Sequence, residues 1–227
     1  GYGNYEYTIN GGGSWEPTGS YTDLGPGNYS VAIRDADQPA CVKILNNSLN
    51  ISQPGILNAI VTPTMISCFG ANDGAINITS PTGGYGTYEF SIDGGNEWFT
   101  SGVFSPLAPG IYDVRIRDAA NHVCEIILNS SLRITEPAEL SATVQSTNIT
   151  CNGANNGTIT VSYPTGGYGT YDFSNDGGST WQNTGLFTGL RPGIYNVQIR
   201  DRAHPLCVKI LEDALIISEP GLLTADV

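Results

Sequence analysis

Cysteine is the residue type whose spacing in this chain predicts chemistry most directly. Cys41, Cys124 and Cys207 recur at one constant interval, and the same interval separates Cys68 from Cys151. No cluster of cysteine and histidine has the spacing of metal ligands. Five cysteines, few lysines and scattered Asn-x-Ser/Thr sites are typical of proteins outside the cytoplasm, where disulfides persist. The cysteines are therefore predicted to form disulfides.

The two histidines do not supply a catalytic site that the repeats share. His122 and His204 do not occupy equivalent positions, because His204 aligns with Asn121. Both lie in the most variable loop of the repeat. Catalysis needs a nucleophile or an acid–base set held within reach, and no such set recurs in the sequence. The sequence therefore predicts a protein that is not an enzyme and that uses no cofactor.

Tryptophan recurs at the same interval as cysteine, as Trp15, Trp98 and Trp181. An exposed indole ring could stack on a sugar, with Tyr85 or Tyr168 nearby. Large aromatic side chains more often pack in the core or on a sheet face of a small β domain. We therefore predict a structural role for the three tryptophans, with glycan binding as the alternative, and the exposure of the rings distinguishes the two.

Recurring carboxylates are candidates for calcium ligands. Asp118 and Asp201 each follow an arginine in the repeated motif, and Asp73 lies in a glycine-rich turn. Calcium takes six or more oxygen ligands, and only scattered oxygens recur at these positions. Asx side chains commonly cap turns by accepting backbone hydrogen bonds. Turn capping is therefore the predicted role, and calcium binding is the weaker alternative.

A twelve-residue motif must position these side chains. It occurs as Leu24–Asp35, Leu107–Asp118 and Leu190–Asp201. A Pro-Gly pair near its start indicates a turn in which glycine takes a conformation that other residues avoid. The residues that follow alternate between apolar and polar, as in a half-buried strand. A tyrosine just after the turn predicts the tyrosine corner of immunoglobulin-like sandwiches, at Tyr29, Tyr112 and Tyr195.

The core of each repeat follows from the same alternation. In the second copy it is predicted to contain Ile76, Ile78, Tyr88, Phe90, Tyr112, Val114 and Ile116. About seven strands per copy and no helical period predict an all-β fold of tandem immunoglobulin-like antiparallel β-sandwich domains. Short Glu-Pro or Gln-Pro junctions between copies predict an extended rod.

The length of one repeat is the number of residues from Trp98 to Trp181. That length is sufficient for each copy to form a domain with its own core. The predicted domains are a truncated repeat that lacks its opening strands (1–54), two complete repeats (55–137 and 138–220) and the first strand of a following repeat (221–227). We therefore expect the sequence to be a piece of a longer array.

The strand order of an immunoglobulin-like sandwich places the two cysteines of one repeat at opposite ends. Cys68 would lie in the turn after the first strand and Cys124 in the loop before the last. The strand Gly110–Asp118 would separate them by roughly 25–30 Å, whereas a disulfide needs Cα atoms within about 7 Å. A Cys68–Cys207 bond across the junction of two repeats is therefore predicted. The pairings Cys68–Cys124 and Cys151–Cys207 stay open as the alternative, and under the junction pairing the partners of Cys41 and Cys151 are expected outside this sequence.

The charge of the chain restricts its partners. Its 21 acidic and 9 basic residues give a formal net charge of −12. Such a charge argues against binding to nucleic acid or to anionic membranes. We expect neither a nucleic acid partner nor insertion into a membrane.

The ordered set of motifs resembles a known repeat family. Its segments are Cys68–Gly74, Asp93–Trp98, Leu107–Asp118, Cys124 and Ile134–Pro137. In this order they resemble the SprB-type repeat of very large surface adhesins, found in gliding bacteria that use the type IX secretion system. The resemblance implies a long filament on the bacterial cell surface that sticks to substrata and, in gliding cells, moves along the surface.

The predicted function is therefore mechanical and adhesive. The chain is expected to be a structural repeat region of an extracellular adhesin filament that mediates surface attachment and gliding motility. Its expected partners are neighbouring repeats of the same chain, surface polysaccharide or other filament subunits. The alternatives are an array of glycan-binding modules and the non-catalytic stalk of a secreted enzyme.

Overall fold

A computed structural model describes residues 1–224, and the regular secondary structure in that range is entirely β-strand. The predicted all-β class is confirmed. The end of the predicted strand 221–227 lies outside the described residues. No helix long and apolar enough to cross a membrane occurs in residues 1–224.

Backbone contacts divide the chain into two compact units. One is Gly1–Ile56 with Gly83–Tyr85, and the other is Leu57–Thr82 with the residues from Gly86 onward. The first unit contains a three-stranded antiparallel sheet. Its strands are β1 (Tyr5–Thr8), β2 (Gly27–Asp35) and β3 (Val42–Ile51), in the order β1-β2-β3.

The sheet of the first unit buries few side chains. Thr8 and Ala32 lie opposite each other in the pairing of β1 with β2, and both are nearly fully buried. β3 is exposed along almost its entire length.

The second unit contains a six-stranded pattern twice. In the first copy the strands are β4 (Gly55–Thr64), β5 (Gly74–Gly84), β6 (Tyr88–Ser91), β7 (Val103–Leu107), β8 (Gly110–Asp118) and β9 (Glu125–Ile134). In the second copy they are β10 (Ser141–Thr147), β11 (Gly157–Thr165), β12 (Tyr171–Ser174), β13 (Leu186–Leu190), β14 (Gly193–Asp201) and β15 (Val208–Ile217). Residues 55–137 and 138–220 are called the second and third repeats below.

Each of these repeats folds as two antiparallel sheets. The first, second and fourth strands form one sheet, and the third, fifth and sixth form the other. The orders are β4-β5-β7 and β6-β8-β9 in the second repeat, and β10-β11-β13 and β12-β14-β15 in the third. The repeats thus have six strands each, where the sequence predicted about seven.

One core is shared by the two sheets of each repeat. In the second repeat, Leu57 and Ile76 from one sheet pack with Phe90, Val114 and Ile116 from the other. The equivalent residues form the core of the third repeat: Leu140, Ile159, Phe173, Val197 and Ile199. Because both sheets contribute to one core, each repeat is a sandwich, and the predicted tandem β-sandwich class is confirmed.

Two tyrosines that were predicted to be buried are only half-buried. Tyr88 and Tyr112 lie on the inward face and pack against the core of the second repeat. A phenol hydroxyl needs a hydrogen-bond partner, and that of Tyr112 reaches the edge of the sandwich to donate to the Ala108 carbonyl at 2.8 Å. The prediction of full burial is wrong because alternation gives the face of a side chain and not its depth.

The tyrosine corner is present in all three copies of the motif. The hydroxyls of Tyr29, Tyr112 and Tyr195 each donate to the carbonyl oxygen four residues earlier, at 2.7, 2.8 and 2.8 Å. The glycine of the Pro-Gly pair does not take the predicted left-handed conformation. A Cβ on Gly110 would instead lie 3.6 Å from the ring of Tyr112, so the glycine lies directly against that ring.

Candidate functional site: the junction of the second and third repeats

Asp201 holds the loop that carries Cys207. Its Oδ1 accepts hydrogen bonds from the backbone N–H groups of Ala203 at 2.8 Å and His204 at 3.1 Å. Its Oδ2 accepts one from the N–H of Tyr168. The Cys207 N–H closes the turn by donating to the His204 carbonyl at 2.8 Å. A fully buried carboxylate thus fixes the conformation in which the loop presents its cysteine.

Asp73 fixes the conformation of the turn that carries Cys68. Its carboxylate accepts the hydroxyl of Ser67 at 2.5 Å and the Ser67 N–H at 2.9 Å. The hydroxyl hydrogen bond, followed by the backbone one, holds the pKa of Asp73 below its ordinary value. Glu136, just after β9, accepts the N–H of Gly70 at 2.7 Å and ties the turn to the end of the sandwich.

The calcium candidates therefore all have turn-capping geometry. Asp118 is fully buried, and its Oδ1 accepts the N–H groups of Ala120 at 2.8 Å and Asn121 at 3.1 Å. Within residues 1–224, no group of three or more His, Cys, Asp or Glu side chains converges as a metal site would require. The hydrogen bonds of Asp73, Asp118 and Asp201 are those of carboxylates that fix backbone turns.

Cys68 and Cys207 form a disulfide, with their Cα atoms 5.3 Å apart. The bond joins the second repeat to the third and closes a loop of 139 residues. The pairing predicted across the junction is therefore present. The alternative pairings within each repeat, Cys68–Cys124 and Cys151–Cys207, are wrong.

Strand pairing explains why the cysteines of one repeat do not meet. Gly110 pairs with Ile134 at one end of β8, and Arg117 pairs with Glu125 at the other. The Cys68 turn lies at the first end, where the Ile66 N–H bonds to the carbonyl of the residue after Ile134 at 3.1 Å. Cys124 directly precedes Glu125 at the opposite end. The length of β8, about 25–30 Å, separates the two cysteines.

The junction contains further contacts around the disulfide. The Tyr168 hydroxyl of the third repeat donates to the Ile66 carbonyl of the second at 3.1 Å, and the Tyr168 ring stacks on His204 at 4.1 Å between centroids. Cys207 Sγ lies 3.2 Å from the Ser67 carbonyl oxygen. Since a disulfide sulfur has no proton to donate, this is a packing contact. Cys68 also packs against the core of the third repeat.

Tyr168 is a junction residue that sequence reasoning assigned elsewhere. The sequence suggested it as a neighbour of Trp181 on a sugar platform, whereas its hydroxyl and ring are used at the junction. Its recurrence as Tyr85 and Tyr2, at equivalent positions of the other copies, was a signal of importance. The signal did not reveal the role, because the acceptor at Ile66 is far from Tyr168 in sequence.

The recurring tryptophans pack under arginine side chains. The guanidinium groups of Arg34, Arg117 and Arg200 lie 4.5, 4.3 and 4.5 Å from the ring centroids of Trp15, Trp98 and Trp181. This is the geometry of a cation–π interaction.

The other groups of this stack are also paired within the repeat. Arg117 is bonded to Glu89 at 2.6 Å, and the indole N–H of Trp98 donates to the Gly95 carbonyl at 2.8 Å. The ring is half-buried, and one of its faces is covered by Arg117. Both features favour the structural role of Trp98 over a sugar platform.

Two segments of the chain match the family model of the SprB repeat, residues 60–97 and 143–180. The matches begin at equivalent positions of the second and third repeats, and the resemblance stated from the motifs is confirmed there. SprB repeats are structural repeats of cell-surface proteins, so the match indicates a surface repeat region of the adhesin type. No curated protein matches the chain.

Proposed function

We propose that this chain is part of the load-bearing repeat region of an extracellular bacterial adhesin filament, which attaches cells to surfaces and carries force during gliding. The observation that carries the proposal is the Cys68–Cys207 disulfide. The SprB repeat match supports the setting at the cell surface. The role is mechanical, and no residue is assigned a catalytic step.

The disulfide changes the covalent path along which tension passes. Without it, a force applied to the ends of the chain runs through every residue of both repeats. With it, the shortest covalent path runs through β4 to Cys68 in the turn that follows, crosses to Cys207 and continues into β15. The 139-residue loop between the two cysteines then carries no end-to-end tension. A filament with this path holds its length under shear, because most of each sandwich cannot be drawn out.

The glycan-binding alternative has weaker support. A sugar platform presents an open aromatic face, whereas Trp98 and Trp181 each have one face under an arginine and an indole N–H bonded within the repeat. The arginine contact and the indole hydrogen bond fix each tryptophan ring within its repeat. We therefore propose that residues other than these tryptophans make the adhesive contacts.

Force spectroscopy on the full chain tests the load-bearing role. The Cys207→Ser variant should release about 470 Å more contour length on complete unfolding than the oxidised protein, since each freed residue adds about 3.4 Å. Cys124→Ser is the matched control, because Cys124 is unpaired, and it should behave as the wild type. Equal contour lengths for the oxidised wild type and Cys207→Ser would contradict the proposal.

The location is tested on intact cells that produce the protein. Antibody fragments raised against the folded chain should label the outer surface and reduce attachment to glass. Labelling only after the cells are lysed would contradict an extracellular filament, whatever the outcome of the force measurement.

A further inference from the structure

The sheet β10-β11-β13 of the third repeat has an outer surface of uncharged polar side chains. In the pairing of β10 with β11 these side chains lie opposite one another, Thr143 with Ser162, Gln145 with Thr160 and Thr147 with Thr158. The alternate residues Val144 and Val161 face the core. Because side chains alternate along a strand, the six polar ones share the side of the sheet away from the core. These six residues are called the polar face below.

An open cavity of about 380 Å³ lies on the polar face. It is lined by the uncharged residues Gln145, Ser146, Thr147, Thr158 and Thr160. Thr147 and Thr158 share a hydrogen bond at 2.7 Å between their hydroxyl oxygens. The side-chain polar groups of Gln145 and Thr160 bond to no other group within residues 1–224. Hydroxyl and amide groups both donate and accept, so they are available to a ligand that does the same.

The polar face is less costly to cover than the opposite sheet of the same repeat. That sheet carries ion pairs at its surface, with Asp172 bonded to Arg200 at 3.0 Å and to Arg202 at 2.8 Å. Removing water from charged groups costs far more free energy than removing it from hydroxyls and amides. Threonine is also branched at Cβ, which restricts its first side-chain torsion. The threonine hydroxyls are therefore held in place before a ligand binds, and little side-chain freedom is lost on binding.

Tyr163 lies at one end of the polar face, directly after Ser162, and is 82% exposed. It occupies a bulge at which β11 has one residue more than β10. Its φ is +53°, and that of Ser80, the same position in the second repeat, is +52°. The backbone conformation therefore belongs to the repeat, whereas the aromatic ring is particular to the third copy. An exposed ring beside a set of hydroxyls offers an apolar surface on which a sugar ring can stack.

The junction between two repeats leaves both ends of this surface open. Thr64, the second-repeat counterpart of Thr147, lies just before Ile66, which accepts the Tyr168 hydroxyl of the third repeat. Thr64 is nevertheless exposed. Tyr163 is also exposed, although Tyr168 nearby in sequence contacts the second repeat. A neighbouring repeat therefore does not cover the polar face.

We propose that the polar face and Tyr163 bind a neutral polysaccharide, whose hydroxyls bond to the threonine and Gln145 side chains while one sugar ring stacks on Tyr163. The inference rests on the adhesive role proposed above and names its surface. A neutral chain fits because the lining groups carry no charge, and the formal net charge of −12 repels acidic polysaccharides. From Thr143 to Thr147 the face extends about 14 Å, which is longer than a single sugar ring.

Electrophoresis of the oxidised full chain in native gels that contain a polysaccharide tests the proposal. Dextran, galactomannan and hydroxyethyl cellulose are the neutral probes, and alginate is the acidic one. The wild type should be retarded by at least one neutral polysaccharide and not by alginate. Tyr163→Ser introduces the residue that the second repeat has at this position, and it should weaken binding about tenfold, which corresponds to about 1.4 kcal/mol. Thr160→Val keeps the shape of the side chain but removes its hydroxyl, and it should weaken binding severalfold.

Thr62→Val is the matched control, because Thr62 is exposed on the second repeat, and it should bind as the wild type does. Unchanged midpoints of urea unfolding show that each variant is folded. The proposal is overturned by no retardation in any neutral gel, by retardation in alginate, or by equal binding of Tyr163→Ser and the wild type. Self-association of the chain that Tyr163→Ser abolishes would also overturn it, since the face would then bind a second copy. None of these results changes the contour length or the surface labelling, so a failure here is distinct from a failure of the filament role.

Discussion

A single hydroxyl anchors the start of the longest repeated motif. Tyr112 begins the inward-facing row of β8, and its hydroxyl bonds to the Ala108 carbonyl before the strand. The same bond occurs at Tyr29 and Tyr195. Because the aromatic ring packs on the core while the hydroxyl fixes the preceding turn, one side chain sets where the strand starts and how the chain enters it.

The Tyr112→Phe variant tests this role. It keeps the ring and removes one hydrogen bond, so the free energy of unfolding should fall by about 1 kcal/mol. Ile111→Ala is the control on the same strand, since Ile111 is 63% exposed, and it should cost less than about 0.5 kcal/mol. Urea unfolding with the disulfide intact measures both. A Tyr112→Phe protein as stable as the parent would show that the hydroxyl does not anchor the strand.

Residue types and their recurrence were enough to predict the turn-capping carboxylates and the tyrosine corners. Both depend on hydrogen bonds over a few residues of sequence, which short motifs encode. Recurrence did not reveal that Arg117 covers Trp98 or that Tyr168 bonds across the junction. Those contacts join positions that are distant in sequence, and their partners are set by the packing of sheets and repeats.

At the scale of elements, the sandwich depends on a close approach between its strands. Gly102, just before β7, accepts the Ile78 N–H of β5 at 2.7 Å. A Cβ on Gly102 would collide with the Ile78 carbonyl oxygen. In the third repeat, a Cβ on Gly185 would collide with the Val161 carbonyl oxygen in the same way. A side chain at either glycine would force the strands apart.

The Gly102→Ala variant should therefore destabilise the second repeat by about 2 kcal/mol, the cost of overpacking a tight site. Gly25→Ala is the matched control, because a Cβ there would meet nothing within 4 Å, and its effect should be close to zero. Thermal unfolding of the oxidised proteins gives both values. A Gly102→Ala protein that melts with the parent would mean that β5 and β7 are not held at this distance.

The sequence predicted the strands better than the loops between them. Alternation located β5, β6 and β8, and the tyrosine corner with the number of strands predicted an immunoglobulin-like sandwich. The Trp98–Gly102 spacing also recurs at Trp15–Gly19 and Trp181–Gly185. Its meaning was not predictable, because a glycine that makes room for a distant carbonyl looks in sequence like any loop glycine.

At the scale of the whole molecule, the account depends on the polarity of the sandwich. The ends of β8 lie about 25–30 Å apart, so the two cysteines of one repeat cannot pair, and the bond instead forms between adjacent repeats. In the chain-entropy model, closing a loop of 139 residues stabilises the folded state by about 5 kcal/mol. The same bond removes that loop from the path of tension, which is the basis of the proposed load-bearing role.

Peptide mapping of the oxidised chain without reduction is the measurement that tests this claim most directly. Proteolysis in acid, where thiol–disulfide exchange is slow because thiolates are scarce, followed by mass spectrometry, should recover the Cys68 peptide linked to the Cys207 peptide. The double variant Cys124→Ser/Cys151→Ser should give the same linked pair. Recovery of Cys68 linked to Cys124, or of Cys151 linked to Cys207, would contradict the junction disulfide and the strand polarity from which it follows.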